Sequence, residues 1–142
     1  MKYTRMDINK VHNLEKAVIQ ILNLDGWDLD WCGGGFEHYD AVGETPKGHP
    51  CVIEMKFRKK YYETKMLEKL KYDKLMDMPA DMVKIYFVSD TKANYLFWLN
   101  ELKLDNTKEL YCPDTTLWTK SRSNKEVYLL REEQATIINL NK

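Results

Sequence analysis

Two strand-like runs, Phe36-Glu-His-Tyr-Asp-Ala-Val-Gly43 and Cys51-Val-Ile-Glu-Met-Lys-Phe57, leave this chain few ways to fold around them. The segment between them carries Gly43, Pro46, Gly48 and Pro50, so the pair reads as a hairpin with an extended loop. Side chains alternate across a strand, which puts Val52, Glu54 and Lys56 on one face of the second run and Ile53, Met55 and Phe57 on the other. The apolar face suits packing against a helix. The other face points a carboxylate and an ammonium at whatever the first strand presents, and Asp40 is the residue placed to meet them.

Length and composition narrow the class. A chain of 142 residues is a single-domain length, 1–142, large enough to bury a core without metal or disulfide staples. Lys+Arg and Asp+Glu are equal at 22 each, so global charge names no partner and only the placement of charges can point to one. Cys32, Cys51 and Cys112 are odd in number and scattered, which argues against a disulfide framework or a zinc knuckle and for reduced thiols in an intracellular protein. No apolar run is long enough to span a bilayer and the N-terminus has no signal-peptide pattern, so the expectation is a soluble, cytoplasmic protein.

In chain order, Val11, Leu14, Val18, Ile21 and Leu22 recur at helical steps and predict an amphipathic helix over Lys10–Leu24, with Asn9 as cap and Gly26 as stop. Glu15 sits on the edge of its apolar stripe, where a solvated flank charge is the ordinary reading. Trp27–Trp31 is a short edge strand or an irregular link into Gly33-Gly34-Gly35, which reads as a flexible approach to the hairpin and not a phosphate cradle. A helix is predicted from about Tyr62 to Met76, then strands at Val83–Ser89 and Asn94–Asn100, the first joined to the hairpin by a crossover suited to a parallel neighbour. Cys112–Trp118 reads as a loop leading to a short strand, Ser121–Lys125 as a polar turn, Val127–Leu130 as a final strand and Arg131–Leu140 as a short helix. Between Lys56 and Lys74 eight basic residues face three acidic ones, a local excess that suits phosphate contacts, although a solvated helix with paired charges also accounts for its later lysines.

Asp40, thirteen intervening residues, Glu54-Met55-Lys56 and a preceding helix with Glu15 resemble the PD-(D/E)XK nuclease superfamily, over roughly Lys10–Ser89. Tyr39 stands where the superfamily name has proline. The Glu-x-Lys triplet recurs at Glu63-Thr-Lys65 and Glu101-Leu-Lys103, so context carries the resemblance: only Glu54-Met55-Lys56 ends an apolar strand, follows an Asp on the preceding strand and opens into a basic run. The resemblance implies an α/β (α+β) restriction endonuclease-like core, a mixed sheet flanked by helices in the order α-β-β-α-β-β with a mixed C-terminal tail. It implies Mg²⁺ or Mn²⁺ held by Asp40, Glu54 and the Met55 backbone carbonyl, with Glu15 helping through water or a second metal. Lys56 then positions the attacking hydroxide and stabilises transition-state charge, and Arg58, Lys59, Lys60 and Lys65 are candidate contacts to the nucleic-acid backbone.

The implied activity is metal-dependent hydrolysis of DNA phosphodiester bonds by a compact endonuclease, junction resolvase-like or phage-type. Two competing readings remain: a non-catalytic nucleic-acid-binding or assembly module that keeps the fold, and an RNA-directed nuclease. His12, His38 and His49 are too dispersed for a metal motif, Cys51 lies on the packing face, and the tryptophans suit core or interface packing better than base stacking. Cutting two strands calls for a C2 homodimer, with Tyr95–Leu99 or the tail as candidate contact.

Overall fold

A computed structural model describes residues 5–35, 37–113 and 122–140, with side chains in 8–35, 37–111 and 123–140. Helix α1 (Arg5–Leu24) is followed by strands β1 (Asp28–Trp31), β2 (Ala41–Glu44), β3 (Pro50–Phe57) and β4 (Thr64–Glu68). Helix α2 (Lys69–Met76) precedes β5 (Val83–Ser89), β6 (Asn94–Trp98), β7 (Lys108–Pro113) and β8 (Arg122–Arg131). A 3₁₀ turn (Glu132–Gln134) and the short β9 (Thr136–Ile137) follow. The main sheet runs β1-β2-β3-β5-β6-β9; β3 and β5 are parallel and the other pairs antiparallel. A second sheet, β4-β8-β7, is antiparallel throughout.

Helix α1 covers one face of the main sheet, where Val18, Ile19 and Leu22 pack with Ile53, Met55, Ile85 and Phe87, as the apolar face of β3 requires. The helix starts earlier than its apolar repeat suggests, so Asn9 is an interior residue and not its cap. Its stop is at the expected glycine. Gly26 takes φ +98°, its N–H reaches the Asn23 carbonyl at 3.3 Å, and Trp27 N–H reaches the Leu22 carbonyl at 3.2 Å, a Schellman closure that an L side chain would strain.

The opposite face is also covered. Leu67 of β4, Leu75 of α2 and Leu130 of β8 bury Val52, Tyr86, Val88, Tyr95 and Phe97. This second layer departs most from the sequence expectation. The segment expected as one helix over about 62–76 begins as a strand, with Lys65 and Leu67 buried in alternation and paired to β8. Leu67 is buried while Leu70 is 63% exposed, a division that a single helical stripe through both does not allow. The polar Ser121–Lys125 stretch is, from Arg122, the start of the ten-residue β8 and not a turn. Val127–Leu130 lies in the second half of that strand, and β9 follows it as the final one. Arg131–Leu140 forms a 3₁₀ turn and a two-residue strand in place of the expected helix. Of the expected Cys112–Trp118 loop, Cys112 and Pro113 end β7 and the rest lies outside the described residues.

Tyr95, Leu96, Phe97 and Leu99 are buried inside the chain and β6 is paired on both sides, so the Tyr95–Leu99 run is core and not a free subunit contact. Trp27 and Trp98 stack on each other at 5.9 Å between ring centroids. Cys32 and Cys51 are free thiols. Among the described residues no helix is long and apolar enough to cross a membrane.

Candidate active site

The ends of β2 and β3 build the site. Ala41 pairs with Ile53, and one step beyond the last ladder pair the Asp40 N–H donates to the Ile53 carbonyl at 2.8 Å. Cys32 N–H donates to the Asp40 carbonyl at 2.7 Å, so the Asp40 backbone is clamped between the end of β1 and β3. β2 has no residue left to pair with Met55. Its N–H instead donates to Asp40 Oδ2 at 2.8 Å. In a strand, the N–H and carbonyl of one residue point to the same side, so the Met55 carbonyl also faces the space beyond the end of β2.

Glu54 stands on the α2 side of β3, 6% exposed, and its Oε1 accepts from Lys71 Nζ at 3.0 Å. Lys56 follows on the same face, beside Lys71. Glu15 arrives from α1 on the other side of the sheet. It is 5% exposed and its Oε1 accepts from the Trp31 indole N–H at 2.9 Å. A Cβ on Gly33 would collide with that carboxylate and with the Trp31 ring, so the first glycine of the triplet admits the Glu15–Trp31 contact. The expected solvated flank charge is therefore a buried, hydrogen-bonded acid.

The electrostatics are those of crowded acids. Burial, then the charge of Glu54, then that of Glu15 push the Asp40 carboxyl up to about 7, against the opposing Met55 N–H and Lys71. Burial likewise raises Glu15, although the Trp31 hydrogen bond and His12 oppose it. Lys56 is lowered to about 8 by burial and by the neighbouring Lys71 ammonium, with Glu54 opposing. For Lys71, burial works downward, but Glu54 outweighs it and raises the ammonium.

A cleft of about 410 Å³ opens over Asp40, Glu54 and Lys71, lined also by His38, Tyr39 and Lys74. Among the described residues no three His, Cys, Asp or Glu side chains are already drawn into a ligand set. The donor chemistry nonetheless fits a hard divalent cation. Asp40 and Glu54 are hard oxygen donors near enough to act on each other's charge, and Asp40 is destabilised by burial and then by negative charge of the kind a cation removes.

The expected backbone-contact residues separate into two groups. Lys59 and Lys60 are exposed just beyond β3, while Arg58 is half-buried and extends the β3–β5 ladder by donating to the Ser89 carbonyl at 2.8 Å. Lys65 lies elsewhere. It is 3% exposed, with its ammonium 2.8 Å from Asp90 and 3.3 Å from Glu132 and held between the rings of Tyr61 and Tyr95. An ammonium so enclosed has no path to a phosphate. Lys71 is the site residue that sequence reasoning does not single out, because it is one of eight basic residues in a run whose helical register differs from the expected one.

This architecture, a mixed sheet with parallel β3 and β5 flanked by helices, is a restriction endonuclease-like fold. The crystal structure of Archaeoglobus fulgidus Hjc, a Holliday junction resolvase from an archaeal hyperthermophile, superposes with a TM-score of 0.60 over 87% of this chain and 88% of that one, at 15% sequence identity. No family profile and no curated protein sequence matches the chain.

Proposed function

We propose that this protein is a divalent-metal-dependent nuclease that hydrolyses phosphodiester bonds in DNA, acting on branched substrates such as junctions. The observation that carries the reading is the meeting of Asp40 and Glu54 at the end of β2 and β3, with Lys56 on the face of Glu54 and Glu15 brought in from α1. The likeness to a Holliday junction resolvase along nearly the whole chain supports it and favours branched DNA as substrate.

Asp40, Glu54 and the Met55 carbonyl would hold Mg²⁺ or Mn²⁺, with Glu15 adding a further carboxylate. When bound, such a cation supplies Lewis acidity toward the phosphoryl oxygens and acidifies water. The Met55 N–H fixes Asp40 Oδ2, so this carboxylate is oriented before any ligand arrives. Lys56, lowered to about 8, is still charged near neutral pH, where its ammonium would donate to the phosphoryl oxygens on which negative charge develops and orient the attacking oxygen. Lys59 and Lys60, exposed beside the site, attract the flanking backbone, and Arg58 contributes from a half-buried position. If a second copy supplies the second cut of a junction, the subunit contact lies outside β6.

The test is to incubate the protein with branched, duplex and single-stranded DNA and with RNA, in Mg²⁺, Mn²⁺ or EDTA. Cleavage of branched DNA that EDTA abolishes is the expected result. Metal-independent cutting, or none on any substrate, would overturn the proposal.

A further inference from the structure

Lys71 is not needed to make Glu54 a metal ligand, yet it forms an ion pair with that carboxylate inside the site. Its ammonium is 3.0 Å from Glu54 Oε1, and its side chain keeps 23% exposure where the Glu54 side chain keeps 8%, so the pair is open on the lysine side. That side is the cleft. Lys71 and Lys74, three residues apart on one face of α2, line it together with Asp40 and Glu54. Lys56 also acts on Glu54, so two ammoniums share one carboxylate, and the one on the cleft side can serve a second anion that enters the cleft.

Charge balance identifies that anion. Asp40, Glu54 and Glu15 set three carboxylates against Lys56 and Lys71. This leaves one negative charge over. A divalent cation together with one phosphodiester brings one net positive charge, which balances these five groups when both lysines are present. Without Lys71 the cation alone already balances the four groups that remain, and the arriving phosphate loses the ammonium nearest Glu54. With it, the phosphate meets an ammonium free to turn toward it, because Glu54 then has the cation as partner.

We propose that Lys71 is a second active-site lysine with two partners: it holds Glu54 in the metal-free protein and, released when Glu54 takes a divalent cation, binds a phosphate oxygen of the DNA in the cleft. This role rests on the nuclease reading and carries a signature of its own: Lys71 opposes metal binding and favours substrate binding, two effects of opposite sign that a purely structural ion pair would not produce.

The experiment compares the full chain with Lys71→Met and Lys71→Arg. Mn²⁺ affinity is measured by calorimetry without DNA, and KM and kcat on junction DNA at saturating Mn²⁺. Lys71→Met is expected to bind Mn²⁺ roughly 10-fold more tightly, since no ammonium competes for Glu54, and to raise KM by roughly 10-fold, with Lys71→Arg restoring KM. Mn²⁺ affinity that is unchanged or weakened overturns the inference, and so does tighter Mn²⁺ binding with an unchanged KM. Should Lys71→Met fail to fold, Lys71→Gln, which can still donate to Glu54, carries the same comparison. If neither folds, the residue is structural and the inference falls. A wild-type chain that neither binds Mn²⁺ nor cuts DNA refutes the nuclease reading itself, which is distinct from an active wild type whose Lys71 variants do not differ from it.

Discussion

Asp40→Asn should make the metal-free protein more stable while removing its activity. Asparagine keeps the shape of the side chain and an oxygen that can accept the 2.8 Å hydrogen bond from Met55 N–H, so the change removes a charge and little else. The carboxyl lies at about 7 in the fold against a usual 3.8, and at ~1.4 kcal/mol per pKa unit the fold disfavours its ionised form by about 4 kcal/mol. Part of that cost is repulsion shared with Glu54, which Lys71 partly neutralises, so a gain of about 2 kcal/mol at alkaline pH, or roughly 6 °C in melting temperature, is the expectation. The sign follows from proton binding. Below the usual 3.8 both states are protonated and Asp40 contributes nothing; as pH rises the unfolded chain ionises first and the fold loses stability, until the loss is complete above about 7. Urea unfolding of wild type and variant in EDTA, followed by tryptophan fluorescence at about pH 4, 6 and 8, should give two curves that nearly coincide at the acid end and diverge toward the alkaline end. Adding Mg²⁺ should narrow the gap by stabilising the wild type alone. A variant whose advantage does not grow with pH, or that is less stable at the alkaline end, would refute the picture of Asp40 as an acid strained by burial and by its neighbours.

Lys56→Ala should lower turnover by at least about 100-fold while leaving the melting temperature and DNA affinity nearly unchanged, since the residue acts on transition-state charge; an unfolded variant would make it part of a structural ion cluster. Reversing Arg58, Lys59 and Lys60 to glutamate should weaken DNA binding and flatten its salt dependence, by roughly 0.9 in log–log slope for each phosphate that is no longer neutralised. An unchanged slope would make Lys59 and Lys60 a solvated surface and Arg58 a structural residue. Lys65→Met should cost about 3 kcal/mol in urea unfolding, because it leaves the Asp90 carboxylate, whose side chain is 1% exposed, without its ammonium. The same variant should bind DNA as the wild type does, and weaker binding at unchanged stability would return Lys65 to the DNA surface.

The acids and lysines of the site are best understood as one charge system held by three elements. Asp40 is fixed by backbone on both sides, Glu54 by the central strand, and Glu15 by a helix on the other face of the sheet with Trp31 as its anchor. A rigid frame of this kind does not let mutually repelling carboxylates move apart. In the metal-free chain the repulsion is met by placing Lys71 on Glu54 and by favouring the protonated form of Asp40. Of the destabilisation that Asp40→Asn is expected to relieve, burial is the first cause and repulsion the second, and only the repulsive part would be returned as affinity by a cation bound between the carboxylates.

The three Glu-x-Lys triplets mark where sequence reasoning succeeds and where it stops. Glu54-Met55-Lys56 is legible because strand parity is a local rule: alternation along one strand puts Glu54 and Lys56 together, and the short hairpin brings Asp40 opposite with no knowledge of the remaining fold. The α1 stop at Gly26, β5 and β6 are legible for the same local reasons. Glu63-Thr-Lys65 is not. Thr64 and Lys65 sit where β4 pairs with β8, whose sequence begins more than fifty residues later, and the Lys65 partners Asp90 and Glu132 are likewise remote along the chain. No periodicity within about 62–76 reports a partner strand that lies elsewhere, so five residues of strand read as the first turns of a helix. The same long-range pairing hides Lys71. In a helix running from Tyr62 it is one solvated lysine among several, whereas in a helix that begins at Lys69 its place in the first turn, directly after a strand whose Leu67 shares a core cluster with Val52 of β3, delivers it to Glu54. The placement of candidate residues set by local alternation is therefore readable in advance, and that of Lys71, set by a long-range strand pairing, becomes visible only with the fold.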